Sequence, residues 1–253
     1  MRKLQIFISI FLFTLSARGQ YPYEVHTASS YTIYDNWTEW NKGDRIHETL
    51  LVPNFFNNND SLTIQLTSFG MSTDSAYIRL YRNKKLIHKF FEPCTLYGMY
   101  ENSKLYVADI NGDSLLDIKF IAPLPYNGIA ALNKRVVYLF QCPDTGFCKI
   151  SFTDMFDNIN DSTSESRPER DFDNDGNFEI ITKTLENYNE HNYWTFNLYV
   201  FQNGTLVNVN DKFNYPIMIQ YLFKENYKVT DKISKEKMKT FARALPVLFD
   251  NIK

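Results

Sequence analysis

The chain predicts a mainly β protein, built of antiparallel four-stranded repeat units and ending in a short C-terminal helix. Three observations carry that prediction. Seventeen Tyr, 21 Phe and 3 Trp stand beside only 9 Gly and 9 Pro in 253 residues, a balance that suits half-buried strands and does not suit disorder. Apolar and polar residues alternate in short runs, the period of a strand with one face on a core. One pattern of strand, acidic turn, strand, connection, strand, tight turn and strand occurs twice, sixty-two residues apart, which marks a repeated supersecondary unit. Such units stack either as propeller-like blades or as a sandwich, and both remain open at this level.

The first element is a leader. Met1-Arg2-Lys3 precedes an apolar run from Leu4 to Leu15, and Ser16-Ala17-Arg18-Gly19 follows it. A charged start, a short apolar stretch and small residues before a cut after Gly19 describe a secretory signal peptide over 1–19. The apolar stretch is about twelve residues against the roughly 20 that span a bilayer, and an uncleaved anchor is the alternative reading. The expected location is therefore secreted, periplasmic or at the cell envelope, with no membrane association after cleavage. Losing Arg2, Lys3 and Arg18 takes Lys plus Arg from 27 to 24 against 29 Asp plus Glu, moving the net charge from −2 to −5. The acidic balance argues against a nucleic-acid partner, which would call for a basic surface.

The remainder, 20–253, reads as one β-rich domain. Tyr21 to Asn54 is aromatic and polar without a clear period. A degenerate unit spans 61–91: Ser61 to Thr67 and Ala76 to Tyr81 alternate like strands, and Arg82-Asn83-Lys84-Lys85 makes a polar turn before Leu86 to Phe91. The two complete units cover 105–152 and 169–210, with a Ser- and Glu-rich surface loop, 162–168, between them. Asn203-Gly204 between apolar runs signals a hairpin in the second. Pro216 to Phe223 reads as one more buried strand. Ser234 is placed as the N-cap of a helix reaching about Phe249, with Met238, Phe241, Ala242 and Leu245 on one face.

The acidic turns carry the chemistry. Asp109-Ile-Asn-Gly-Asp-Ser-Leu-Leu-Asp-Ile118 and Asp171-Phe-Asp-Asn-Asp-Gly-Asn-Phe-Glu-Ile180 each put oxygen-bearing side chains at positions 1, 3 and 5, a carboxylate at 9 and Ile at 10. Carboxylates this close repel one another unless solvent or a cation screens them. Oxygens at alternating positions turn inward when the backbone curls, which is how a calcium loop collects six to eight ligands. The candidate ligands are Asp109, Asn111, Asp113 and Asp117 with the Leu115 carbonyl, and Asp171, Asp173, Asp175 and Glu179 with the Asn177 carbonyl. Gly176 at position 6 allows the sharp bend, and Ser114 replaces it in the first loop, so that site is expected to be the weaker. An EF-hand would need Glu at position 12 and flanking helices; Phe120 and Thr182 stand there, and both loops run into strands. The alternative is a pair of solvated polar turns.

The two segments resemble the calcium loops of FG-GAP and VCBS repeat proteins, D-x-[DN]-x-D-G-x-x-[DE]-[LI]. Together with Tyr138-Leu-Phe-Gln141 and Tyr199-Val-Phe-Gln202 downstream, they are also similar to small secreted bacterial proteins related to inhibitors of invertebrate-type lysozymes. The resemblance covers about 105–210. It implies two bound Ca2+ ions and a non-catalytic binding or structural role. It also raises inhibition of a lysozyme-like enzyme as an alternative.

Other chemistries find less support. Cys142 and Cys148 flank a turn and can close a small disulfide loop, leaving Cys94 over. The four His, at 26, 47, 88 and 191, form no close pair in sequence, and no hydrolase or phosphate-loop motif is present, so the chain reads as a non-enzyme. The expected partner is a protein or glycan at the cell envelope. A carbohydrate-binding or carbohydrate-active module is a further alternative, favoured by the abundance of Tyr and Trp, such as Trp37, Trp40 and Trp194.

Overall fold

A computed structural model describes residues 23–69, 75–93, 96, 104–124, 132–143, 146–156, 167–221 and 233–242. The proposed leader, Cys94 and most of the 162–168 loop lie outside the described residues. The architecture is mainly β and antiparallel, with one short helix near the C-terminus. Three sheets follow one another along the chain. The first is a meander of β3 (Thr38–Lys42), β4 (Arg45–Val52), β5 (Leu62–Phe69), β6 (Ala76–Arg82) and β7 (Lys85–Glu92). The middle sheet has the order β11-β10-β9-β8-β2, from β2 (Thr32–Tyr34), β8 (Leu105–Ala108), β9 (Asp117–Pro123), β10 (Asn133–Cys142) and β11 (Gly146–Met155). In the third, β14 (His191–Gln202) pairs with β13 (Ile180–Tyr188) on one edge and with β15 (Thr205–Asn208) and β16 (Ile217–Gln220) on the other. A two-residue ladder joins β1 (Thr27–Ala28) to β12 (Arg170–Asp171).

Tight turns explain the meanders. Asn83-Lys84, Asn189-Glu190 and Asn203-Gly204 all hold both residues at positive φ, the conformation that matches the twist of a two-residue hairpin and that Asn tolerates. The region 21–54, which lacks a clear period in sequence, contains β1 to β4. Its turn at Gly43, with φ +61, is the signal that the polar surface of β3 obscured.

The helix, α1 (Lys235–Lys239), starts as expected: Ser234 Oγ accepts the Lys237 amide at 3.3 Å. Thr240 caps it after five residues, and no residue within it is buried. The expected span to Phe249 therefore shortens, because propensity without a buried face sustains little helix; residues beyond 242 are outside the described residues.

The middle sheet lies between the other two. Its interior strand β10 is buried on both faces: Val137 and Leu139 join Leu50, Ile64 and Leu80 of the first sheet, while Val136, Tyr138 and Phe140 join Ile180, Tyr199 and Phe201 of the third. A third cluster, with Trp194, Phe196 and Leu198, covers the far face of the third sheet. Trp37 and Trp194, two of the three residues singled out for a glycan, are thus core residues.

The repeat is preserved in the loops and shifted in the strands. Ile118 pairs opposite Leu139, but its counterpart Ile180 pairs opposite Tyr199. Tyr-x-Phe-Gln is therefore one residue out of step between the copies, as the 29- and 28-residue spacings foreshadow. A one-residue slip reverses the facing of a strand. Tyr138 and Phe140 accordingly point toward the third sheet while Tyr199 and Phe201 point back, and the rings of Phe140 and Phe201 stack at 3.7 Å.

Buried ion pairs tie the sheets together. Glu92, at the end of β7, accepts Arg135 Nε at 2.8 Å, Lys149 Nζ at 2.5 Å and Ser151 Oγ at 2.6 Å. Glu169, just before β12, accepts Lys119 Nζ at 2.7 Å, Tyr138 OH at 2.5 Å and Ser29 Oγ at 3.0 Å, with Tyr31 OH as a further donor. Each carboxylate is desolvated and carries several donors, the condition under which a buried charge is tolerated.

Candidate metal centre

Both acidic loops adopt the same backbone path. Positions 4 and 6 are left-handed in each: Gly112 (φ +73) and Ser114 (φ +66), Asn174 (φ +60) and Gly176 (φ +85). The missing Gly at position 6 of the first loop does not alter its path; Ser114 adopts the strained conformation instead. Asn or Gly at position 4 was the sequence signal for the second left-handed residue.

One hydrogen-bond frame recurs. Position 1 accepts the amide of position 6: Asp109 Oδ2 from Ser114 at 2.8 Å, Asp171 Oδ2 from Gly176 at 3.1 Å. Position 5 accepts the amide of position 7: Asp113 from Leu115 and Asp175 from Asn177, both at 2.8 Å. Position 9 reaches back to the amide of position 2: Asp117 to Ile110 and Glu179 to Phe172, both at 3.0 Å. The apolar positions anchor this frame. Leu116 and Ile118 belong to the cluster between the first and middle sheets, Phe178 and Ile180 to that between the middle and third. Ile110 and Phe172, at position 2, pack one cluster further on.

The loops also touch each other. The Phe178 amide donates to the Ile110 carbonyl at 2.9 Å. Gly112 lies so close to the second loop that a Cβ on it would meet the Gly176 carbonyl oxygen at 2.9 Å. They form one continuous acidic edge.

The two loops differ in how far their oxygens converge. Ligand atoms of Asp171, Asp173 and Glu179 all lie within 4.8 Å of one another. Asp175 is turned to its own Asx bond with Asn177. Asn177 Oδ1 is buried with no hydrogen-bond partner among the described residues, so a side-chain oxygen is left over at a position expected to offer only its carbonyl. In the first loop Asp117 is fully buried, and its second oxygen accepts the Gln141 amide at 2.9 Å. That residue acts as a backbone anchor in this conformation. Asp109 is spent on the Gly112 and Ser114 amides, and Asn111 Nδ2 donates to Asp113 at 3.0 Å.

Electrostatics follow from this packing. Burial, reinforced by Asp113 and Asp109, pushes the Asp117 carboxyl up to about 7 despite its two amide donors. Burial likewise pushes Glu179 up to about 7, with Asp173 and Asp175 adding to it against the Phe172 amide. Among the described residues, an exposed cation answers the second loop: the Lys212 ammonium pairs with Asp173. Its hydrogen bond to Asp173 and then the charges of Asp173, Glu179 and Asp175 hold it above its ordinary range. A metal ion would have to compete with that ammonium. The donor set is otherwise made of hard oxygens, which suits calcium.

Three of the four histidines make contacts of their own. His26 stacks on Phe172 at 4.1 Å and His47 on Trp40 at 3.9 Å. His88 lines a cavity of about 420 Å³ with Asp113 and Cys142. Its Nε2 meets the Phe147 amide at 3.2 Å, while Cys142 Sγ sits 2.7 Å from Cys148 Sγ. The two sulfurs are thus brought together across the β10–β11 hairpin.

No protein-family model, curated protein or solved structure matches this chain. Among the described residues, no helix is long and apolar enough to cross a membrane.

Proposed function

We propose that the chain is a secreted or cell-envelope calcium-binding β-repeat protein, non-catalytic, in which two adjoining loops of the FG-GAP and VCBS type lock the edge of three stacked sheets. The observation that carries this reading is the recurrence of one ligand-presenting frame in two loops, with the Asp171, Asp173 and Glu179 oxygens converging in the second. Asp171, Asp173, Asp175 and Glu179, with Asn177, would hold the ion there; Asp109, Asn111 and Asp113, with the Leu115 carbonyl, would hold the other, with Asp117 behind them. Calcium would supply the positive charge that these buried and clustered carboxylates lack. At an affinity of about 0.1 mM and free calcium of about 1 mM, each site adds about 1.4 kcal/mol by linkage, a structural contribution.

The test is the thermal midpoint of the protein in EGTA and in millimolar calcium, with Asp113→Ala and Asp175→Ala alongside. A calcium-dependent rise that shrinks in each variant is the expected result. No shift, together with no bound metal by elemental analysis, would reduce the loops to solvated turns and remove the proposal.

A further inference from the structure

The outer face of the first sheet gathers cations and aromatic rings, and His47 and Thr67 at its centre are themselves buried. Cross-strand register aligns Trp40, His47, Thr67, Tyr77 and Phe91 in one row across β3 to β7. The adjoining row is Thr49, Gln65, Arg79 and Lys89. Lys42 and Arg45 pair at the end of the β3–β4 hairpin on the same face. Among the described residues of the five strands, the positions that share this face hold four cations and no Asp or Glu; Glu39 and Glu48 pair on the opposite side. The opposite side is also where Leu50, Ile64, Ile78 and Leu80 build the core, whereas none of the outer-face rings belongs to a core cluster.

The cations and rings are already arranged against each other. Lys89 Nζ lies 4.2 Å from the Tyr77 ring centre and Arg79 Cζ 5.5 Å. Arg79 Nη1 donates to Thr67 Oγ1 at 2.7 Å, and His47 Nδ1 is 3.0 Å from the same hydroxyl. Trp40 stacks on His47 and remains 43% exposed on the edge strand. Neutral donors and acceptors stand beside them: Tyr81 OH donates to Gln65 Oε1 at 3.3 Å. From β3 to β7 the platform spans about 19 Å at the usual strand spacing, enough for several sugar rings in a line.

We infer that this face binds an acidic polysaccharide. Aromatic rings offer apolar faces to the C–H faces of pyranoses, hydroxyl and amide groups meet ring hydroxyls, and Arg79 and Lys89 meet carboxylate or sulfate groups. A nucleic acid is disfavoured by the net negative charge of the whole chain, which repels a densely charged polyphosphate more than a glycan with one anion every ring or two. The inference is independent of calcium in the loops, since no loop residue lies on this face.

Calorimetric titration of the purified protein with short chondroitin sulfate and polygalacturonate chains, with neutral dextran and single-stranded oligodeoxythymidylate as comparators, tests it. Each titration is run in EGTA and repeated in calcium, so that failure of the loop proposal stays separate. Binding of at least one acidic glycan in EGTA is expected, with no binding of dextran. Trp40→Ala and the double variant Arg79→Gln/Lys89→Gln should each weaken it about tenfold, while Lys239→Gln on α1 leaves it unchanged. Failure to bind either acidic glycan, tighter binding of the oligonucleotide, or an affinity indifferent to the face variants would overturn the inference. So would a concentration-dependent dimer abolished by Trp40→Ala, which would assign the face to a second copy.

Discussion

Ser114 shows how a single residue can depart from a pattern without changing the geometry. It stands where the second loop has Gly176, yet both residues sit at positive φ and both donate to the carboxylate at position 1. A side chain in the left-handed region costs roughly 1–2 kcal/mol, against which Gly pays only the larger entropy of its unfolded chain. Ser114→Gly is therefore expected to stabilise the protein by about 0.5–1 kcal/mol, read as a higher urea midpoint with an unchanged slope. A lower midpoint would mean that the Ser114 hydroxyl contributes more than its backbone strain removes.

At the scale of the element, the two loops work as a pair. Their contact is made by backbone, through the Phe178 amide to the Ile110 carbonyl and the close approach of Gly112 to Gly176. Gly112→Ala adds a Cβ at 2.9 Å from the Gly176 carbonyl oxygen on a residue at φ +73. Left-handed strain alone costs about 1–2 kcal/mol, and the clash adds to it because neither backbone can yield without moving its apolar anchors. The expected outcome is a lower thermal midpoint and a smaller calcium response than in Asp113→Ala, because both loops are displaced. A calcium response equal to that of the parent protein would show the loops to be independent. The sequence already exposed both loops, their oxygen-bearing side chains and their spacing. It could not show their contact, since sixty-two residues separate partners that the stacking of two sheets brings together.

For the whole molecule, cohesion between sheets depends on more than apolar area. Glu92 ends the first sheet and is held by Arg135 and Lys149 of the middle one at 2.8 and 2.5 Å, with all three side chains buried. Removing one partner of such a group strands the others as uncompensated charges, at a cost of about 3–5 kcal/mol. Glu92→Ala should therefore lower stability by that order, measured by urea unfolding. Loss below about 1 kcal/mol would show that water reaches the two cations and that the network is dispensable.

Composition, alternation and the Asn-led turns determined the mainly β, antiparallel architecture, because strand period and turn chemistry are local properties. The Ser234 cap was equally local. The acidic loops were legible for the same reason: five of their ten positions carry either an oxygen-bearing side chain or the Ile that begins the following apolar run. Three things were decided only by tertiary structure. The slip of Tyr-x-Phe-Gln arises from cross-strand pairing, which a 29- against 28-residue spacing hints at without assigning. Trp37 and Trp194 went to the core while Trp40 stayed at an edge, a choice made for Trp194 and Trp40 by which face their strands turn inward and for Trp37 by the path of the segment between β2 and β3. The turning of Asp117 onto the Ile110 and Gln141 amides followed from burial, since a carboxylate taken out of water must find donors wherever the fold supplies them.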